Sequence, residues 1–406
     1  MRRIALVCLL ALASAAAASA APSQGASWAK AQIEQVVGAG LMAKSVASFK
    51  PQSPLTQRAL EQVVAGLNER LTPDVPPPTT TTVTVPLPPV PTTTTVPSPT
   101  GTTTTLPGTT TAPTTTWTTT TTTYTETAPA PEPPWPLFSY KAASPDATVS
   151  LQQFDHVLVN ALGLSDAAAK VLGELRRAGL KPPARAGTET IARLVGLRLN
   201  HPAEQDDLEL LPTQPITRAE AAYSLARALT FDQGAHDWIE RAADAFVLPE
   251  LTDWQRRILT TAVSYVGFPY VWGGTSPGPE TPAGVRAAGG FDCSGFVWRV
   301  YKLTPYAGSG RLASTLAGRT TFQMAAESTR QMKIFKAQNL KPGDVLLFGH
   351  GPASKSSEID HAAIYLGGDW IVQSSGNGVT IAPFDGWYRS GFAFARRPLR
   401  EAGLDR

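Results

Sequence analysis

The chain has 406 residues, a formal charge of +3 and two cysteines, at positions 8 and 293. A balance so close to neutral excludes the electrostatic footprint of a nucleic-acid binder. Two cysteines so placed leave one thiol unpaired if the first is lost with a leader.

Such a leader is legible at the start. Arg2 and Arg3, the apolar run IALVCLLALA and the small-residue stretch through Ala18-Ser19-Ala20 read as a signal peptide over 1–20. The apolar run is shorter than the roughly 20 residues that a span requires, so stable membrane insertion is not expected, and an uncleaved anchor helix is the other reading. Cleavage removes Cys8 and two arginines, bringing the formal charge from +3 to +1. Cys293 then stands alone in a compartment where cysteines normally pair, as a reactive thiol, an intermolecular bridge or an inert core residue.

Helical patterning follows over 21–71 and again over 137–231. Three segments share one layout, a polar turn, an aliphatic residue, Thr or Ser, then an amphipathic helix: 48–71, 139–164 and 209–231. Thr56, Ser150 and Thr217 are placed to cap those helices. A second helix type, ending in Gly-Leu, precedes two of them at 28–41 and 167–180. The unit resembles the S-layer homology repeat, and ITRAE at 216–220 matches that family's signature, while the other copies read LTQRA and VSLQQ. The resemblance implies binding to a cell-wall polysaccharide through Thr217, Arg218 and Glu220. The same three residues also read as a helix cap, a solvated charge and the closing member of a capping box.

Between the helical parts, residues 72–136 are dominated by Thr and Pro. Such a composition cannot bury a core, so a disordered, extended linker is expected, either a sugar-bearing stalk or a plain spacer. After a connecting helix over 232–250, a compact domain occupies 251–400, opened by a capping box at Thr252 and Gln255.

The chemistry converges on FDCSGF, residues 291–296. Gly and Pro crowd the residues before it, and SGFVWRVYKL after it carries apolar residues at helical spacing, placing Cys293 at a helix N-terminus. That position favours the thiolate and offers backbone N–H groups to an oxyanion. A nucleophilic thiol needs a base, and there are five histidines. His156, His201 and His236 fall in the helical region or its exit, and His350 in a Gly-rich loop. His361 opens HAAIYL, which with DWIVQS reads as a hairpin turned at Gly367-Gly368. In that hairpin His361 lies opposite Gln373, whose amide can fix the imidazole tautomer and aim its free nitrogen at Cys293.

These residues carry a second resemblance. GFPYVWGGTSP (267–277), FDCSGFVWRVY (291–301), GRTTFQM (318–324), LKPGDVLLF (340–348) and DHAAIYLGGDWIVQSSGNGVTI (360–381) occur in the order seen in the NlpC-type cell-wall cysteine peptidases. The domain is similar to that family over about 250–398. The resemblance implies an α+β, papain-like fold, a nucleophile helix packed on an antiparallel sheet, preceded by all-α repeats and the disordered linker. It implies Cys293 as nucleophile, His361 as general base and Gln373 as the third polar residue. Tyr270 would line the cleft and aid oxyanion or substrate binding, or pack beneath the nucleophile. Asp292 and Ser294 would contact the free amine of a stem peptide, or cap the helix. Gln373 stands where many members carry His or a carboxylate, and the loop between Thr275 and Gly290 is long. The expected activity is that of a secreted, cell-wall-associated hydrolase cutting peptidoglycan stem peptides between D-γ-glutamate and diaminopimelate or lysine, without metal or other cofactor. An amidase or transferase of the same fold, or a wall-binding anchor without activity, are the alternatives.

Overall fold

The computed structural model describes residues 28–71, 79–86, 119–126, 133–198 and 210–405. The leader and most of the Thr/Pro-rich stretch lie outside the described residues. None of the described helices is long and apolar enough to cross a membrane.

The helical part comprises α1 (Lys30–Gly38), α2 (Gln57–Leu71), α3 (Leu151–Ala161), α4 (Ser165–Arg177), α5 (Ala186–Leu194), α6 (Arg218–Ala228) and α7 (Gln233–Asp244). The recurring aliphatic residue has a specific use. Leu55 N–H donates to Ile216 O, Ile216 N–H to Val149 O and Val149 N–H to Leu55 O, each at 2.9 Å, closing a ring of three backbone bonds. All three side chains are buried, so three turns remote in sequence share one apolar centre. The next residue in each copy then caps its helix: Ser150 with Gln153 in a full capping box, Thr56 by accepting from Ala59 N–H, and Thr217 from Glu220 N–H.

In that arrangement Thr217, Arg218 and Glu220 all have partners within the helical part. Glu220 turns inward to Arg198 at 3.2 Å, a buried guanidinium that also pairs with Asp155, and so does not close a capping box. Arg218 donates to Phe49 O and Met42 O, both at 2.6 Å, with its guanidinium 4.7 Å from the Phe49 ring centre. These groups are engaged in joining the repeats. Arg218→Ala is expected to destabilise the protein by about 1–3 kcal/mol, from two charge-assisted bonds and a cation–π contact, read as a lower urea midpoint at unchanged slope.

Within the linker, expected to lack regular structure, β1 (Thr79–Pro86) and β2 (Thr119–Glu126) pair antiparallel. Threonine is β-branched and favours extended pairing, a tendency that composition-based reasoning about disorder does not weigh.

The C-terminal domain starts with α8 (Asp253–Ser264), whose Thr252–Gln255 capping box forms as expected. There follow β3 (Thr275–Ser276), β4 (Gly290–Phe291), α9 (Cys293–Trp298), α10 (Leu312–Thr315) and α11 (Thr321–Ala326). Then come β5 (Val345–Phe348), β6 (His361–Gly367), β7 (Trp370–Ser375), β8 (Gly378–Pro383), α12 (Gly386–Gly391), β9 (Phe392–Arg396) and α13 (Pro398–Glu401). The last five strands form one antiparallel sheet in the order β8-β7-β6-β5-β9, with α9 packed on β6 and β7. Leu346, Phe348, Ala363, Tyr365, Ile371, Phe384 and Phe392 form a core cluster along the sheet. The α+β fold read from the sequence is the fold observed.

Candidate active site

Cys293 owes its place to backbone constraints on both sides. The N–H of Phe291 donates to Pro269 O and that of Val271 to Phe291 O, both at 3.2 Å, fixing the strand that enters α9. Asp292 then caps α9, accepting from Gly295 N–H. Gly295 must be glycine, because a Cβ there would lie 1.9 Å from Gly274 O. The thiol that results is only 8% exposed, and it donates to Asp360 O at 3.8 Å rather than to the imidazole. The backbone N–H groups of Ala362 and Ser294 also face the sulfur. Cys293 therefore touches the backbone on both sides of His361, at the lead into β6 and at its second residue.

His361 opens β6, paired with Phe348 on β5. Phe348, Trp387 and Tyr388 surround its ring, with centroids 5.6, 5.8 and 5.9 Å away. Gln373 does not lie opposite His361; it is in register with Ala363, two residues further along the same face of β6. The shift follows from the turn, where the pairing slips between Tyr365 and Gly367 and Asp369 adopts φ 62°. The amide still acts on the ring. Gln373 donates to Ser375 Oγ at 3.1 Å, which leaves its Oε1 as a buried acceptor without a partner, and His361 Nε2 is likewise unpartnered. The two match when Nε2 carries the proton, the tautomer that frees Nδ1 as a base.

Electrostatics correct one expectation. The helix N-terminus was expected to promote the thiolate, yet burial, with Asp292 adding to it, pushes the Cys293 thiol up to about 12. Burial also holds the His361 imidazole down at about 4, against the Gln373 amide, which favours the charged ring. The resting pair is a neutral thiol beside a neutral base. A six-residue helix whose Gly295 N–H is taken by the Asp292 side chain does not offset that loss of solvent.

Asp292 and Ser294 are bound into the cap of α9. The Asp292 carboxylate accepts from Gly295 N–H, Ser294 Oγ, Gly273 N–H and Arg319. Arg319 stands in GRTTFQM, one of the stretches that carry the resemblance, but sequence reasoning assigned it no role. A further signal was an acid beside the thiol that needed a counter-charge. Tyr270 pairs its backbone with Phe291 and borders a small cavity, about 20 Å³, together with Arg193, Arg198 and Glu220 of the helical part. Among the described residues no group of His, Cys, Asp or Glu is placed to hold a metal ion.

A helix-borne cysteine packed on an antiparallel sheet, against the strand that bears a buried histidine, defines a papain-like α+β thiol domain. Residues 267–396 match the model of the NlpC/P60 family, and this C-terminal domain belongs to it. Similar proteins include the probable endopeptidase p60 of Listeria grayi, 33% identical over 32% of this chain and 21% of that protein. The bifunctional muramidase/DL-endopeptidase CwlT of Bacillus subtilis (strain 168) is 29% identical over 34% of each chain. The solved NlpC/p60 domain of the peptidoglycan hydrolase SagA is 28% identical over 35% of this chain and 97% of that one, with a TM-score of 0.25. The chain thus spans well under two thirds of the length of these two curated relatives.

Proposed function

We propose that this protein is a secreted, cell-wall-associated peptidoglycan hydrolase, a cysteine endopeptidase that cuts stem peptides between D-γ-glutamate and diaminopimelate or lysine. The observation that carries the reading is the seating of the Cys293 sulfur against the backbone on both sides of His361, with Gln373 beside the ring. The relatives named as endopeptidases support the reaction class, while the bond rests on the family resemblance. The thiol turns from Asp360 O toward Nδ1, gives up its proton and attacks the carbonyl carbon. Backbone N–H groups at the start of α9 hold the oxyanion, and the protonated ring returns the proton to the departing amine. Water, deprotonated by the same ring, then releases the acyl group and restores the thiol. The test is digestion of purified sacculi. Mass spectrometry should find fragments with a new amine on diaminopimelate or lysine, absent after thiol blocking; no such amine would refute the reading.

One observation favours a second reading. A thiol buried and protonated at neutral pH is also what a wall-binding anchor without activity would carry. In that case sacculi sediment the protein and release nothing. A wall polysaccharide as ligand of the helical part, through Thr217, Arg218 and Glu220, rests on the repeat pattern alone.

A further inference from the structure

We propose that Arg319 is a positioning residue for the nucleophile: its guanidinium neutralises Asp292 and locks the cap of α9, so that a thiolate can form one residue away. This rests on the reading of Cys293 as nucleophile.

The geometry is that of a clamp. Arg319 Nη1 donates to Asp292 Oδ1 at 3.1 Å and to Ser294 Oγ at 2.8 Å. Nη2 donates to Asp292 Oδ2 at 3.0 Å, to Gly273 O at 3.0 Å and to Gly274 O at 3.2 Å. One planar cation thus ties the residues on either side of Cys293 to the loop before β3, a forked geometry that lysine cannot reproduce. Arg319 is itself held. Its N–H donates to Gln323 Oε1 at 3.0 Å, and two residues later Thr321 Oγ1 donates to Ile359 O at 2.7 Å. Ile359 precedes Asp360, the thiol's own acceptor. The turn 319–321 therefore fixes the cap of the cysteine helix and the lead into the histidine strand together.

The charged and titratable groups facing the sulfur are few. Asp292 belongs to its own cap, Arg319 to the turn before α11, and Asp360 and His361 to β6 and its lead. The residues of β3, β4 and β7 carry no ionisable side chain, while Arg299 and Lys302 follow the far end of α9, bonded to Thr275 O and Leu316 O. Asp292 opposes the thiolate and Arg319 favours it. Without Arg319, a buried carboxylate would stand unneutralised beside the nucleophile.

The full chain is labelled with iodoacetamide, and the rate at Cys293 is followed against pH. Arg319→Gln should slow labelling about tenfold or more at a fixed pH, the effect of raising the thiol by about one unit. Asp292→Asn combined with Arg319→Gln should recover most of the rate, since no carboxylate then needs neutralising, and Arg319→Lys should fall between. A role in packing alone would loosen the cap and expose the thiol. Labelling of Arg319→Gln would then be unchanged or faster, and slower labelling would gain nothing from the second substitution; either result overturns the proposal. Should Arg319→Gln fail to fold, the order of Arg319→Lys below the unsubstituted chain, and of the double variant near it, decides the matter in the same way. Labelling of the unsubstituted chain that ignores His361→Ala would instead refute the nucleophile reading itself.

Discussion

Cys293→Ala is expected to abolish peptide release from sacculi, and His361→Ala to lower kcat/KM by about 10³- to 10⁴-fold, the range of a lost general base. The loss should be large because the Asp292 carboxylate beside the thiol is already occupied by Arg319, Ser294 and backbone N–H groups. Its resting partner is Asp360 O, a backbone carbonyl, and its own ionisation lies at about 12, far above any working pH. The acid limb carries more information. With the imidazole held at about 4, the neutral base persists well below the ordinary 6.5, so the acid limb of kcat/KM should lie nearer 4. An acid limb near 6.5 would mean that the imidazole of the free enzyme is open to water. Retention of full rate by His361→Ala would end the assignment. Gln373→Leu should cost less, because a neutral amide orients the ring without adding charge.

The two halves of this site differ in how far the sequence disclosed them. Cys293 and His361 could be found because each begins an element whose apolar period is strong, a helix in one case and a strand in the other. Gln373 was placed opposite His361 and lies in register with Ala363 instead, since a slip at the Tyr365–Gly367 turn is decided by backbone conformation at Asp369 rather than by pattern. The role of Arg319 was hidden for a different reason. Its role depends on the closeness of 273–274, 292–294 and 319, three stretches whose contact only the folded chain creates. The repeats behaved likewise. Their layout was legible, but ITRAE looked like a surface motif because nothing local says that Arg198 will claim Glu220. Solvent content is the last thing a sequence hides: the helix N-terminus was legible, and the burial that outweighs it was not.

Arg193→Ala is expected to destabilise the protein by about 3–5 kcal/mol, the cost of removing one member of a buried ion pair. Arg193 lies on α5 of the helical part, paired with Glu189 one turn earlier, and donates to Gly267 O at 2.7 Å in the C-terminal domain. Arg185 extends the same seam to Ser264 O and Val266 O at 2.9 and 3.1 Å. Gly378 admits the approach, since a Cβ there would stand 2.4 Å from Phe268 O. The seam leads on to Pro269, Tyr270 and Phe291, and so to the entry of α9. Loss of Arg193 should therefore also loosen the nucleophile. Its partner makes the seam sensitive to pH. Burial lifts the Glu189 carboxyl from 4.5 to about 7, so the folded chain holds more protons there than the unfolded chain, and stability falls as pH rises through that window. His361 works in the opposite sense. Lowered from 6.5 to about 4, it gives the folded chain fewer protons, and stability falls as pH drops through its window. The two slopes largely offset one another in the intact protein. Relative to it, His361→Ala should lose stability with rising pH and Glu189→Gln should gain it, both visible in urea midpoints taken across the range. Parallel midpoints for all three proteins would show that neither group is buried in its neutral form.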